Sequence, residues 1–206
     1  RDEILGPGPH RAPHDLGPDR RGGHDHRGIG LLDAEPLGEG EGILGVLTEA
    51  WDRSGASLSW APDGKTLLGV IDDAGHGRVH RIDASTGAPR ALTKAMSFSG
   101  LALSRDGKVL VALREGFSEP PTLVRLDLAT GEPTKISRFN DELLARVAWG
   151  RYESVTYQGS GGKDIQMWVV YPPGFDPAKK YPLYLILHGG PHNGVQDAFT
   201  FRWNAQ

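Results

Sequence analysis

Two stretches of this chain can be written one above the other. "LSWAPDGKTLLGVIDDAGHGRVHRIDASTGAPRALT" occupies residues 58–93, and "LALSRDGKVLVALREGFSEPPTLVRLDLATGEPTKIS" occupies residues 101–137. Asp63-Gly64-Lys65 recurs 43 residues later as Asp106-Gly107-Lys108, and Thr86-Gly87 recurs 44 residues later as Thr130-Gly131. One residue is therefore inserted between the two landmarks. A repeat constrains the fold more than any single motif, because both copies must adopt one local structure and must pack against a neighbour of the same shape.

Each copy reads as strands and turns. Leu58 and Trp60, or Leu101 and Leu103, alternate onto one face. Asp-Gly then supplies a tight turn, since glycine tolerates positive φ. An apolar strand follows at Thr66–Ile71 or Val109–Leu113, then a variable loop. "VHRIDASTG" or "LVRLDLATG" forms a third strand ending in a second turn, and "PRALT" or "PTKIS" closes the unit. Four short strands per ~40–45 residues is the period of a β-propeller blade, which must stack on neighbours to bury its faces. Trp60, Trp149 and the strand Leu and Val residues are expected to pack a core, Asp63 and Asp106 to form turns, and His76 and His80 to lie in or beside a loop, solvated. A faint third copy registers upstream: Pro18-Asp19 lies 44 residues before Pro62-Asp63, and Leu47-Thr48 lies 45 before Leu92-Thr93.

Residues 1–46 differ from all that follow, with runs such as "GPGPHRAPHDLGPDRRGGHDHRG". So little apolar surface cannot offset the entropy of ordering. The stretch reads as low-complexity or disordered, as a degenerate copy of the repeat, or as frameshifted sequence. His10 and His14, or His24 and His26 around Asp25, have metal-like spacing, but Pro9 and Pro13 break the helix that would join the first pair. Formal net charge is −3 over 206 residues, so no polybasic surface points to nucleic acid or an anionic membrane. The absence of cysteine excludes disulfides, thiol nucleophiles and cysteine-bound metal. No apolar run approaches the ~18 residues of a membrane span. The chain opens at Arg1 with no apolar signal segment and closes at Gln206 inside what reads as a continuing element, so both ends are expected to be cuts. Cell location is left open.

After Ser137 the pattern changes. "NDELLARV" reads as a short helix or as part of an outer strand. "YESVTYQGSGGKDIQMWVVYPPGF" reads as a hairpin, Glu153–Gln158 pairing with Ile165–Tyr171 around a Gly-rich turn. "PPGFDPAKKYP" cannot continue a ladder. "LYLILH" is a nearly unbroken apolar run, as in a fully buried central strand. It ends in His188-Gly189-Gly190-Pro191-His192. Two glycines let backbone approach a substrate carbonyl and let an amide N–H point into a site.

The succession of repeats, "ESVTYQGSGGKDIQMWVVYPPGFDPAKKYPLYLILHGGPH" and "FTFRWNAQ" resembles the prolyl oligopeptidase family of serine peptidases, nearest its acylaminoacyl-peptidase and dipeptidyl-peptidase branch. The resemblance covers about residues 47–206. It implies a mainly β chain: residues 47–149 as the C-terminal blades of a β-propeller, and residues 150–206 as the first strands of a truncated α/β-hydrolase domain. It implies an oxyanion hole in which Gly190 supplies the N–H and Gly189 the turn, with His188 near the substrate or packed as a strand-end histidine. Arg202, Trp203 and Asn204 would begin a helix packed on the sheet. Its chemistry uses no cofactor, and its substrates are short peptides.

The family's nucleophile sits on a G-x-S-x-G turn, and no such string occurs here; "GSGGK" at Gly159 is a hairpin turn. The catalytic serine, aspartate and histidine are thus expected to be absent, and the chain alone inactive. Two other functions fit the residues: an esterase with a fused β-domain, and a propeller binding module without catalysis.

Overall fold

The computed structural model describes residues 47–190 and 194–206. The stretch 1–46, with its histidine pairs and Pro18-Asp19, lies outside the described residues, as does His192. Strands β1 (Gly55–Trp60), β2 (Thr66–Asp73), β3 (His76–Asp83) and β4 (Pro89–Ala91) form an antiparallel sheet in the order β1-β2-β3-β4. Strands β5 (Ser97–Leu103), β6 (Leu110–Gly116), β7 (Glu119–Leu126) and β8 (Pro133–Lys135) form a second in the order β5-β6-β7-β8. A short helix α1 (Asp141–Leu144) leads to the hairpin β9 (Tyr152–Gln158) and β10 (Asp164–Val170). The described chain is mainly β.

The repeat reappears as repeated geometry. Asp63 accepts hydrogen bonds from Lys65 N–H and Thr66 N–H at 2.8 and 2.9 Å, and Asp106 accepts one from Lys108 N–H at 3.1 Å. In the second turn of each copy, Asp83 accepts from the N–H groups of Ser85 and Thr86, and Asp127 from those of Ala129 and Thr130. The Ser85 hydroxyl at Asp83 and the Ser104 hydroxyl at Asp106, and the backbone donors at all four turns, favour the ionised form, so each of the four carboxyls has its pKa lowered from the ordinary 3.8. The first strands also match: each carries a bulge, and the bulge holds Ser57 at φ 53° in one sheet and Gly100 at φ 59° in the other.

The sheets stack through alternating side chains. Leu68 and Val79 of the first meet Phe98, Leu110, Ala112, Val124 and Leu126 of the second, with Leu92 between. On the other face of the first sheet Leu67, Ile71 and Ile82 pack with Leu47 and Trp51. The first sheet is therefore apolar on both faces. The second is sealed on one, while Leu113, Leu123 and Ile136 on it and its closing segment are exposed.

One contact recurs between successive units. Gly131 has φ 76°, and a Cβ built there would lie 1.8 Å from the Leu92 carbonyl oxygen. At Gly87, φ 70°, the corresponding distance is 1.7 Å, to the Leu47 carbonyl oxygen. Leu47 thus meets Gly87 as Leu92 meets Gly131, which is the register of the third copy. Thr93 and Ser137 also act alike, accepting hydrogen bonds from Val79 N–H and Leu123 N–H at 3.0 and 2.9 Å.

Several expectations are corrected. His80 lies in β3 and is buried at 4% exposure, its ring 5.2 Å from that of Trp51. Burial pushes its pKa down, because an imidazolium there would lose its water. His76 also belongs to β3 and its side chain is mostly covered. The apparent loop is shorter than the sequence implied, since Ala74 and Gly75 make the turn by themselves at φ 51° and 78°. Trp60 is half exposed rather than core, because β1 is an edge strand with one neighbour. Residues 183–187 form no strand: Leu183, Tyr184, Leu185, Ile186 and Leu187 are all more than three-quarters exposed. Among the described residues no segment pairs with them, so their backbone groups stay with water. Residues 202–204 form no helix, and Arg202 and Trp203 are exposed.

Candidate functional site

The chain leaves β10 through Tyr171 and two prolines. The Arg151 guanidinium lies 3.6 Å from the centre of the Tyr171 ring, and Phe175 stacks between Tyr171 and Tyr181. This small cluster sets where residues 182–188 depart. The departing run ends in the three residues singled out from sequence. His188 is exposed, with Nδ1 3.2 Å from the Gly189 carbonyl oxygen. A Cβ at Gly189 would meet nothing within 4 Å. Gly190 has φ 80°, a left-handed conformation that non-glycine residues rarely adopt. The loop therefore presents backbone to open space, which suits a donor of N–H groups to a ligand. A nucleophile is not available to it in this sequence on a G-x-S-x-G turn. Among the described residues no cluster of three or more His, Asp or Glu side chains is arranged for a metal.

The exposed run before the loop predicts a solution property. Five consecutive large apolar or aromatic side chains are uncovered at residues 183–187. Such a patch binds apolar dyes and promotes association. The chain by itself is expected to enhance the fluorescence of an anilinonaphthalene dye. The double change Leu185→Asp and Leu187→Asp is expected to lower that signal severalfold while leaving amide protection in β2, β3, β6 and β7 unchanged. An unaltered signal would place the patch elsewhere.

A second constellation was not anticipated from the sequence. Asp197, seven residues beyond Gly190, is 1% exposed. Its Oδ1 accepts the Phe117 N–H at 2.9 Å, its Oδ2 accepts the Tyr152 hydroxyl at 3.3 Å, and His76 Nδ1 lies 3.5 Å from Oδ2. Its own N–H donates to the Gly75 carbonyl at 2.7 Å. Four rings of this constellation meet one another edge to face: His76 and Trp168 at 5.1 Å, Phe117 and Tyr152 at 5.1 Å, Phe117 and Trp168 at 5.3 Å, and Tyr152 and Trp168 at 5.9 Å. The phenol of Tyr152 is pushed far above its usual pKa, first by burial and then by the Asp197 charge. Individually these residues carry no motif. Their only hint in the sequence is the divergence of the two repeats between Asp72 and His76 and between Glu115 and Glu119, the loops that converge here.

No family model matches the chain. The chain is similar to dipeptidyl-peptidase 5 of Aspergillus fumigatus, with 32% identity over 164 residues, covering 75% of this chain and 22% of that protein. It is also similar to dipeptidyl-peptidase 5 of Porphyromonas gingivalis, with 30% identity over 148 residues, covering 71% of this chain and 21% of that one. In fold it is similar to the acylaminoacyl peptidase of Pyrococcus horikoshii, with a TM-score of 0.60 and 18% identity, covering 77% of this chain and 24% of that structure. The chain spans about a fifth of the length of the curated relatives it matches.

Proposed function

Because the chain belongs to the prolyl oligopeptidase family of serine peptidases, on its dipeptidyl-peptidase and acylaminoacyl-peptidase branch, we propose that it is part of a serine exopeptidase that shortens small peptides. The observation that carries this reading is one succession: two equal four-stranded sheets, a hairpin, and then an apolar run opening into His188-Gly189-Gly190.

In this reading residues 47–149 are neighbouring blades of a β-propeller and residues 150–206 begin an α/β-hydrolase domain, while residues 1–46 precede both. Face-to-face packing of the sheets and the exposed Leu113, Leu123 and Ile136 on the second sheet's outer side support the first part, since stacked blades need apolar faces on both sides. The exposed run 183–187 supports the second, since it has the composition of a central strand and would be covered by further strands on each side.

The chemistry follows from the loop. A serine hydroxyl supplied by a continuation of the chain adds to the scissile carbonyl carbon and loses its proton to a histidine. Negative charge moves onto the carbonyl oxygen, where the Gly190 N–H donates to it. The C–N bond then breaks, the amine leaves with the proton, and water releases the acyl group by the same route reversed. Gly189 allows the turn, and His188 stands beside the entering substrate. No cofactor takes part.

The test is substrate preference in the protein extended to the length of its relatives. Dipeptidyl or acylaminoacyl anilides are expected to be hydrolysed with kcat/KM at least ~100-fold above those for simple short-chain esters of equal acyl size, because a site built to hydrogen-bond a peptide end rejects an analogue that lacks it. Preference for the esters would favour an esterase with a fused β-domain. No turnover of either would favour a binding module.

A further inference from the structure

The mechanism above makes no use of Asp197, although it is a buried carboxylate held by three separate parts of the chain. Aspartate is rarely so fully buried without partners that compensate the lost water. Here they come from the loop between β6 and β7 (Phe117) and the hairpin (Tyr152), while His76 Nδ1 of the first sheet stands 3.5 Å away without a hydrogen bond. The space is shaped for it. A Cβ at Gly116 would come within 3.0 Å of Asp197 Oδ1 and 2.9 Å of the Tyr152 hydroxyl. At Gly75 it would come within 3.1 Å of the Val195 carbonyl oxygen. Glu115, Glu119 and Arg114 stand nearby, and Arg114 is bound to Glu119 at 2.8 Å.

The segment that carries Asp197 has no strand or helix of its own. It is held by hydrogen bonds to the rest of the molecule instead. Trp168 Nε1 donates to the Val195 carbonyl at 2.8 Å, and Phe199 N–H donates to Glu115 at 3.0 Å. Gly150 N–H donates to the Gln206 side chain at 2.9 Å, whose amide donates back to the Gly150 carbonyl at 3.0 Å. Asp197 is the buried centre of this set, and with Val195 it is the part of the set nearest in sequence to the Gly189–Gly190 loop.

We propose that Asp197 is a positioning residue: it anchors the chain leaving the Gly189–Gly190 loop to the junction of the two sheets and the hairpin, and so fixes where the loop presents its N–H groups. This rests on the reading of that loop as the oxyanion donor. A donor displaced by a fraction of an ångström from the developing charge loses much of its effect, whereas binding of the substrate elsewhere is untouched. The expected signature is a fall in kcat with KM preserved.

The test uses Asp197→Asn, Asp197→Ala and Tyr152→Phe, both in the 206-residue chain and in the extended enzyme. In the chain, Asp197→Ala is expected to raise hydrogen exchange at the Phe117 and Phe199 amides at least ~10-fold, with β2, β3, β6 and β7 unchanged. In the enzyme, kcat is expected to fall ~10- to 100-fold in Asp197→Ala and by less in Asp197→Asn, which keeps an acceptor for Phe117, with KM within about twofold of its starting value. Tyr152→Phe removes one bond without touching the backbone; it is expected to lower kcat severalfold, and it decides the matter if Asp197→Ala fails to fold. An unchanged kcat in Asp197→Asn and Tyr152→Phe would overturn the proposal, and so would a rise in KM that accounts for the whole loss. Gly190→Pro separates the two ideas. If it lowers kcat while the Asp197 variants do not, the positioning role alone fails; if it leaves kcat unchanged, the oxyanion reading fails.

Discussion

In the extended enzyme, Gly190→Pro is expected to lower kcat by at least ~100-fold, the usual cost of losing one oxyanion donor. Two effects act together. Proline has no N–H, so the proposed donor is gone. Its ring also fixes φ near −65°, whereas Gly190 stands at φ 80°, so the loop must rearrange as well. Gly190→Ala separates the effects, because it keeps the N–H and strains the left-handed conformation. It should cost far less than proline. Steady-state kinetics on a dipeptidyl or acylaminoacyl anilide measures both. The 206-residue chain itself is expected to be inert towards these substrates and towards serine-directed phosphonates, because it holds no serine on a G-x-S-x-G turn. Turnover by the isolated chain that survives repurification would mean that another nucleophile does the work.

Gly131→Ala is expected to destabilise the folded sheets by about 3–4 kcal/mol, against about 1 kcal/mol for Gly64→Ala. Both glycines have left-handed backbones, at φ 76° and φ 62°. They differ in what a side chain would meet. At Gly64 there is nothing within 4 Å, so only the conformational cost applies. At Gly131 the new methyl would sit 1.8 Å from the Leu92 carbonyl oxygen, which belongs to the segment closing the preceding unit. One of the two units has to move, and the core of Leu68, Val79, Leu92, Leu110 and Val124 lies in the path of that movement. Gly87→Ala should resemble Gly131→Ala, since its methyl would meet Leu47 in the same way. Urea unfolding followed by tryptophan fluorescence would show a lower midpoint with an unchanged slope. Equal effects at Gly64 and Gly131 would show that the carbonyl contact does not hold the units together.

Much of the β architecture was legible because its determinants are local. Asp-Gly at 63–64 and 106–107, Thr-Gly at 86–87 and 130–131, and the apolar strands between them specify turns and pleated segments within a few residues of themselves. The hairpin Tyr152–Val170 was legible for the same reason, as was the two-glycine loop at 189–190. Burial is a different kind of property. His80 looks like a polar loop residue until Trp51 is folded over it, and Trp60 looks like core until β1 turns out to be an edge. The run 183–187 has the composition of a buried strand, but burial and pairing require neighbours, and none among the described residues supplies them. Asp197 is the extreme case. Two of its partners lie 45 and 80 residues away in the loops and hairpin where no periodicity or motif operates. Short-range chemistry determined that this chain forms paired four-stranded sheets and a glycine loop. Which carboxylate lies at their junction was decided only by tertiary structure, because a buried charge is tolerated only where donors from distant segments meet in one place.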